Sequence, residues 1–167
     1  MSEPIKISLR FGERFERQLR NHGMSLDPVS HLVLRLDGTW ISGENAYNEV
    51  RAVGFFTELL TMLRDLDGGA TNKKSLLFDD TYLSLSRDGS ELTIGHRYSE
   101  AAIDDQKKRL RIATEATAEL DEVALAAIEG AEQVSERVKE LVDDSDHPKL
   151  TRLDERIEVA RERFGAE

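Results

Sequence analysis

The sequence contains no cysteine among its 167 residues. This absence excludes disulfide bonds, thiol catalysis and thiolate metal ligands. Long apolar runs are also absent, because the stretch 53–66 is interrupted by Thr57, Glu58 and Arg64, whereas a spanning helix needs about 18 apolar residues. The N-terminus, Met1 to Pro4, has no basic region followed by an apolar run. We therefore expect a cytoplasmic protein that makes no membrane contact.

Acidic side chains outnumber basic ones, 33 to 23, which gives a net charge of −10. Residues 1–98 carry 12 Lys and Arg against 14 Asp and Glu, a net charge of −2. Residues 99–167 carry 11 against 19, a net charge of −8. An acidic surplus of this size discourages binding to nucleic acid. We therefore expect no nucleic-acid partner.

The first 98 residues have the pattern of a strand-rich unit. Residues 5–9 alternate apolar and polar positions, which predicts a strand. Two Asp-Gly pairs, Asp37-Gly38 and Asp88-Gly89, separate alternating apolar runs and predict hairpins at 31–41 and 82–94. Helical spacing predicts helices at 13–22 and 47–66, and Leu76 to Phe78 adds a strand. Residues 1–98 are thus predicted to form a mostly antiparallel sheet with covering helices.

The last third of the sequence predicts a helical hairpin. From Ile103 to Leu141, seam positions recur by threes and fours, as in a heptad repeat. Ser99 is a suitable N-terminal cap, and Asp143 to Pro148 interrupts the pattern. We expect a long arm at 99–142 and a short arm at 149–164, so the whole chain is predicted to be α+β with units at 1–98 and 99–167.

The unequal arms of this hairpin predict self-association. At about 1.5 Å per residue, a short arm of some 22 Å covers less than half of a long arm of roughly 60 Å. A second copy would cover the rest and make a homodimer, although docking of the seam on the sheet is the competing arrangement. The seam residues expected at the interface are Leu110, Leu120, Ala124, Ala127, Val134, Val138 and Leu141.

Motifs that fix a reaction are missing from the sequence. The four histidines are far apart and lack metal-site spacing, and phosphate-binding glycine loops are absent. We expect no catalytic residue, metal or cofactor, and so a protein that is not an enzyme. The alternative is a metal-assisted hydrolase that uses Asp79, Asp80, Glu91 and His96.

Arginines and a tryptophan in the first 41 residues are the candidate partner-binding residues. Arg10, Arg14 and Arg17 form a stripe opposite an apolar face, which fits an acidic partner or a solvated surface with internal ion pairs. Trp40 and Ile41 follow the first turn, where a tryptophan either anchors a partner or caps the core.

Residues 31–94 resemble small bacterial immunity proteins of the WapI type. The resemblance rests on the run Asp37 to Gly43, the helical segment Phe55 to Leu60, and the segments Tyr82 to Leu85 and Leu92 to Ile94. It implies a non-catalytic protein-binding module. We therefore expect a cytoplasmic interaction protein, immunity-like or regulatory, whose protein partner the sequence does not identify. A small acidic chaperone for a protein client is a further alternative.

Overall fold

The chain contains eight described strands and five described helices, and the strands form two antiparallel sheets. The α+β fold class is thereby confirmed. The structure is a computed structural model that describes residues 5–21, 26–36, 39–41, 48–69, 71, 73–78, 81–97, 99–105, 115–142 and 146–165.

Sheet 1 is built around one long strand, β2. Strand β1 pairs antiparallel with it on one side, and two shorter strands pair with its two halves on the other side. The antiparallel pairing expected for the first hairpin is confirmed, since Leu36 pairs with Thr39 and Arg35 with Trp40. The predicted turn, Asp37-Gly38, lies outside the described residues. The strands are β1 (Lys6–Arg10), β2 (Val29–Leu36), β3 (Thr39–Trp40) and β4 (Asn48–Arg51).

Sheet 2 is a meander in which consecutive strands are neighbours. Its second hairpin is also confirmed: Asp88 pairs with Glu91, and Gly89 adopts a φ of 63°, which glycine tolerates without strain. The strands are β5 (Lys73–Phe78), β6 (Thr81–Asp88), β7 (Glu91–Arg97) and β8 (Glu115–Glu119).

Three long helices share one core with the two sheets. The α2 helix is packed against both arms of the C-terminal hairpin, α4 and α5, and this hairpin was predicted. Ser99 caps α3 by accepting a hydrogen bond from the Ala102 amide at 3.2 Å. The helices are α1 (Glu13–Arg20), α2 (Ala52–Gly68), α3 (Glu100–Asp104), α4 (Leu120–Leu141) and α5 (Pro148–Phe164).

The prediction of one continuous helical arm over 99–142 is wrong. Residues 115–119 form β8, which pairs with β7 and places Thr117 opposite Thr93. The segment Glu-Ala-Thr-Ala-Glu alternates in exposure along its length, with the two alanines packed toward the core. The segment therefore has the alternation of a strand, and its backbone pairs with β7. This pairing outweighs the preference of alanine and glutamate for helix. Residues 106–114 lie outside the described part of the chain.

The predicted start of the 47–66 helix is also wrong. Asn48–Arg51 form β4, and the helix begins at Ala52 directly after the strand. Val50 is a buried strand residue that pairs with Ser30. It lies three residues before Val53, and this spacing resembles a helical repeat although Val50 is not in the helix.

The boundary expected at residue 98 does not divide the core. One hydrophobic cluster joins residues from both sides of that position, including Phe56 from α2 and Val134 from α4. In addition, β8 completes a sheet whose other strands precede residue 98. Over the described residues, no helix is sufficiently long and apolar to span a bilayer.

Candidate functional site

The two faces of sheet 1 differ in chemistry because side chains alternate along each strand. Leu32 and Leu34 of β2 are buried on one face, where Ile7 and Leu9 of β1 pack against the same core. The opposite face therefore points away from the core. It contains the candidate site, which we call the cationic face. Its charged residues are Lys6, Arg10, His31, Arg35, Glu49 and Arg51, and Arg14 lies beside them.

The strand register aligns the charged residues of the cationic face in rows. Lys6 of β1 pairs with Arg35 of β2, and Arg35 also pairs with Trp40 of β3. Arg10, which follows Lys6 by four residues on β1, pairs with His31 of β2. Lys6 and Arg10 are both exposed, so the charges at the edge of this face meet solvent.

Strand β4 extends the face on the other side of β2. Arg51 pairs with Val29, and Glu49 pairs with His31, so both side chains lie on the same side of the sheet as Arg35. Arg14 joins the face from α1, since its Nη1 lies 3.2 Å from Oε1 of Glu49. Val33, which is 3% exposed, is the apolar position between the two charged rows.

The charge of this face is opposite to that of the whole molecule. Five Lys and Arg side chains lie on or beside this face, against the carboxylate of Glu49 and the half-buried carboxylate of Asp27, which lies close to Arg51. The chain as a whole carries a net charge of −10. A local excess of positive charge on an acidic protein favours encounter with an acidic surface, and it does so most strongly at low ionic strength. The basic residues are Lys6, Arg10, Arg14, Arg35 and Arg51.

The structure separates the predicted partner-binding residues into three groups. Arg10 and Arg14 belong to the cationic face, and Trp40 occupies a register position on it, although its side chain lies outside the described part. Arg17 is exposed one turn further along α1. Ile41 is fully buried in the core, so the expectation that it contacts a partner is wrong.

Sequence reasoning missed Lys6, Arg35, Arg51 and Glu49. The sequence contained the signal for Lys6 and Arg35. Lys6 lies two and four residues before Ser8 and Arg10, and Arg35 lies two and four residues after Val33 and His31, so each set shares one face of a predicted strand. The other two lie on β4, which the helical interpretation of that segment concealed.

The predicted seam residues are mostly inside the chain's own core. Leu120, Ala124, Ala127, Val134 and Val138 are at most 3% exposed, packed among residues of α2, α5 and the sheets. Leu141 is partly buried against the same core, and Leu110 lies outside the described residues. The competing arrangement, in which the sheet unit covers the seam, therefore accounts for their burial. The geometric argument for a homodimer through this seam loses its basis.

The residues of the alternative hydrolase site are not brought together where the structure describes them. Glu91 begins β7 and is exposed, whereas His96 lies near the end of that strand, is 3% exposed and faces the other side. Asp79 and Asp80 lie outside the described residues. Across the described ranges, no group of three His, Asp or Glu side chains is arranged to hold a metal ion.

Comparisons of this chain with models of protein families, with curated proteins and with solved structures find no match. The resemblance to immunity proteins therefore remains a prediction.

Proposed function

We propose that the protein is a non-catalytic, cytoplasmic protein-protein interaction module that binds an acidic segment of another protein through the cationic face. The observation that carries the proposal is the alignment of Lys6, Arg10, Arg35 and Arg51 on one face of sheet 1 in a chain of net charge −10. Charges of this kind act mainly on the rate and specificity of association. An immunity-like or regulatory role is compatible with such a surface.

A protein partner is favoured over nucleic acid by the rest of the molecule. Residues 99–167 carry a net charge of −8, which repels a long polyanion that extends beyond the face. A short acidic protein segment can stay within the face and avoid most of that repulsion.

The test compares two double charge reversals that change the net charge equally. Lys6→Glu with Arg10→Glu alters the exposed edge of the cationic face, whereas Arg64→Glu with Arg152→Glu alters exposed positions on α2 and α5. The probes are a fluorescently labelled poly-L-glutamate, short enough to stay within the face, and a single-stranded oligonucleotide of similar length, and their binding is measured by fluorescence anisotropy. We expect the first pair to weaken poly-L-glutamate binding on the order of tenfold at low salt, and the control pair to leave it nearly unchanged.

Two outcomes would contradict this proposal. Equal effects of the two pairs would show that only net charge matters. Tighter binding of the oligonucleotide than of poly-L-glutamate, lost in the first pair, would assign the face to nucleic acid instead.

A further inference from the structure

One carboxylate lies within the cationic face and contacts its neighbours. Oε1 of Glu49 lies 3.2 Å from Nη1 of Arg14 and 3.7 Å from Nε2 of His31. These three side chains come from β4, α1 and β2. A single oxygen of Glu49 is therefore shared by two groups that would otherwise be available to a ligand carboxylate.

The contacts of Glu49 are exposed enough to be exchanged. The side chains of Glu49, Arg14 and His31 are 46%, 52% and 39% exposed. Ion pairs at this exposure contribute little to folding stability, because water screens the two charges and two side chains must be held in one geometry. Glu49 is thus poorly explained as a structural stabiliser, and its exchange for an incoming carboxylate would leave sheet 1 intact.

We infer that Glu49 is an internal competitor that lowers the affinity of the cationic face for acidic partners. The inference rests on the proposed function, because it concerns the ligand of the same face. A partner carboxylate that approaches Arg14 must displace Glu49, and until it does so it is repelled by the same charge. Glu49 thereby favours partners with several carboxylates. While one carboxylate of such a partner displaces Glu49 from Arg14, its other carboxylates contact the other basic residues of the face.

The first experiment is the substitution Glu49→Gln, with Glu136→Gln on the exposed side of α4 as the matched control. Both variants lose one negative charge. We expect Glu49→Gln to bind poly-L-glutamate about two- to fivefold more tightly than the wild type at low salt, as the loss of one exposed charge contact allows. The control is expected to change the affinity much less, because its charge lies on a helix outside the face.

A double-mutant cycle with Arg14→Gln separates competition from a general charge effect. If Glu49 acts by occupying Arg14, the gain from Glu49→Gln becomes smaller in the Arg14→Gln background. An undiminished gain in that background would overturn competition through Arg14.

The remaining outcomes distinguish this inference from the proposed function. Equal affinities of Glu49→Gln and Glu136→Gln, with binding that still depends on Lys6 and Arg10, would overturn the inference alone. Failure of both the wild type and Glu49→Gln to bind poly-L-glutamate would overturn the inference and the proposed function together.

Discussion

At the scale of single residues, the contact of α4 with α2 depends on Gly130. A Cβ atom at this position would lie 2.8 Å from Cε1 and 2.9 Å from Cζ of the Phe56 ring. Phe56 is fully buried, so its ring has little room to move. Glycine inside a helix costs about 1 kcal/mol relative to alanine, and this close approach offsets that cost.

We expect Gly130→Ala to lower the free energy of unfolding by about 1–3 kcal/mol, as overpacking of a core does. The control is Gly68→Ala at the end of α2, where an added Cβ meets no atom within 4 Å. That change should leave stability unchanged or raise it by up to about 1 kcal/mol. Urea denaturation measures both variants, and a Gly130→Ala protein as stable as the wild type would show that the two helices can separate without loss.

At the scale of elements, α2 is held at both ends by side chains from elsewhere in the chain. The Gly54 amide near its start donates a hydrogen bond to Oδ1 of Asp27 at 3.1 Å. At its end, Nη1 of Arg87 donates to the carbonyls of Leu66 and Asp67 at 2.6 and 2.9 Å. These contacts satisfy backbone groups that a helix leaves unpaired at its termini, and they match its dipole.

Asp27 gives α2 a pH-dependent contribution to stability. Burial raises the pKa of Asp27 above its ordinary value of 3.8, against the opposing effects of the Gly54 hydrogen bond and of Lys149 and Arg51. Because the pKa is higher in the folded than in the unfolded state, the contribution is fully present below the unfolded pKa. It is lost as the pH rises through the folded pKa.

We therefore expect Asp27→Asn to be at least as stable as the wild type at pH 7, since asparagine can accept the same hydrogen bond without a buried charge. Its advantage should shrink on acidification. Asp27→Ala loses the bond to Gly54 and should cost about 1 kcal/mol. Thermal unfolding at pH 4 and pH 7 checks both variants, and equal losses for asparagine and alanine at pH 7 would show that the ionised carboxylate is the favoured form.

The sequence predicted the elements whose signals are local and missed those that depend on a partner strand. The hairpin of β6 and β7 follows from Asp88-Gly89, because a turn needs only its own residues. Strand β8 contains residues that favour helix, and only the register with β7 makes it a strand. Of the cationic face, sequence reasoning reached Arg10 and Arg14, whereas the positions on β4 required the same kind of long-range pairing.

At the scale of the whole molecule, the burial of the seam predicts what lysine substitutions will do. Leu120 and Val134 are 3% and 0% exposed in the core that joins both parts of the chain. Lysine at both positions would bury unpaired charges, so we expect the whole protein to lose its cooperative unfolding transition. Leu125→Lys with Val159→Lys is the matched control, because these side chains are 37% and 39% exposed.

Circular dichroism and sedimentation velocity measure both double variants beside the wild type. The control pair should remain folded and sediment as the wild type does. A folded monomer from the Leu120 and Val134 pair, together with a dimeric wild type, would instead support the pairing of two copies through the seam.

The link between β8 and the hairpin before it has a consequence for the order of folding. Two residues, Gly89 and Ser90, join β6 to β7, whereas residues 98–114 separate β7 from β8. Loop-closure entropy therefore costs β8 about 2 kcal/mol more than it costs the hairpin. The Leu120 amide at the start of α4 also donates a hydrogen bond to the Ser90 carbonyl at 2.9 Å. The hairpin turn thus provides the anchor for α4, and we expect the C-terminal helices to take their final positions only after that turn has formed.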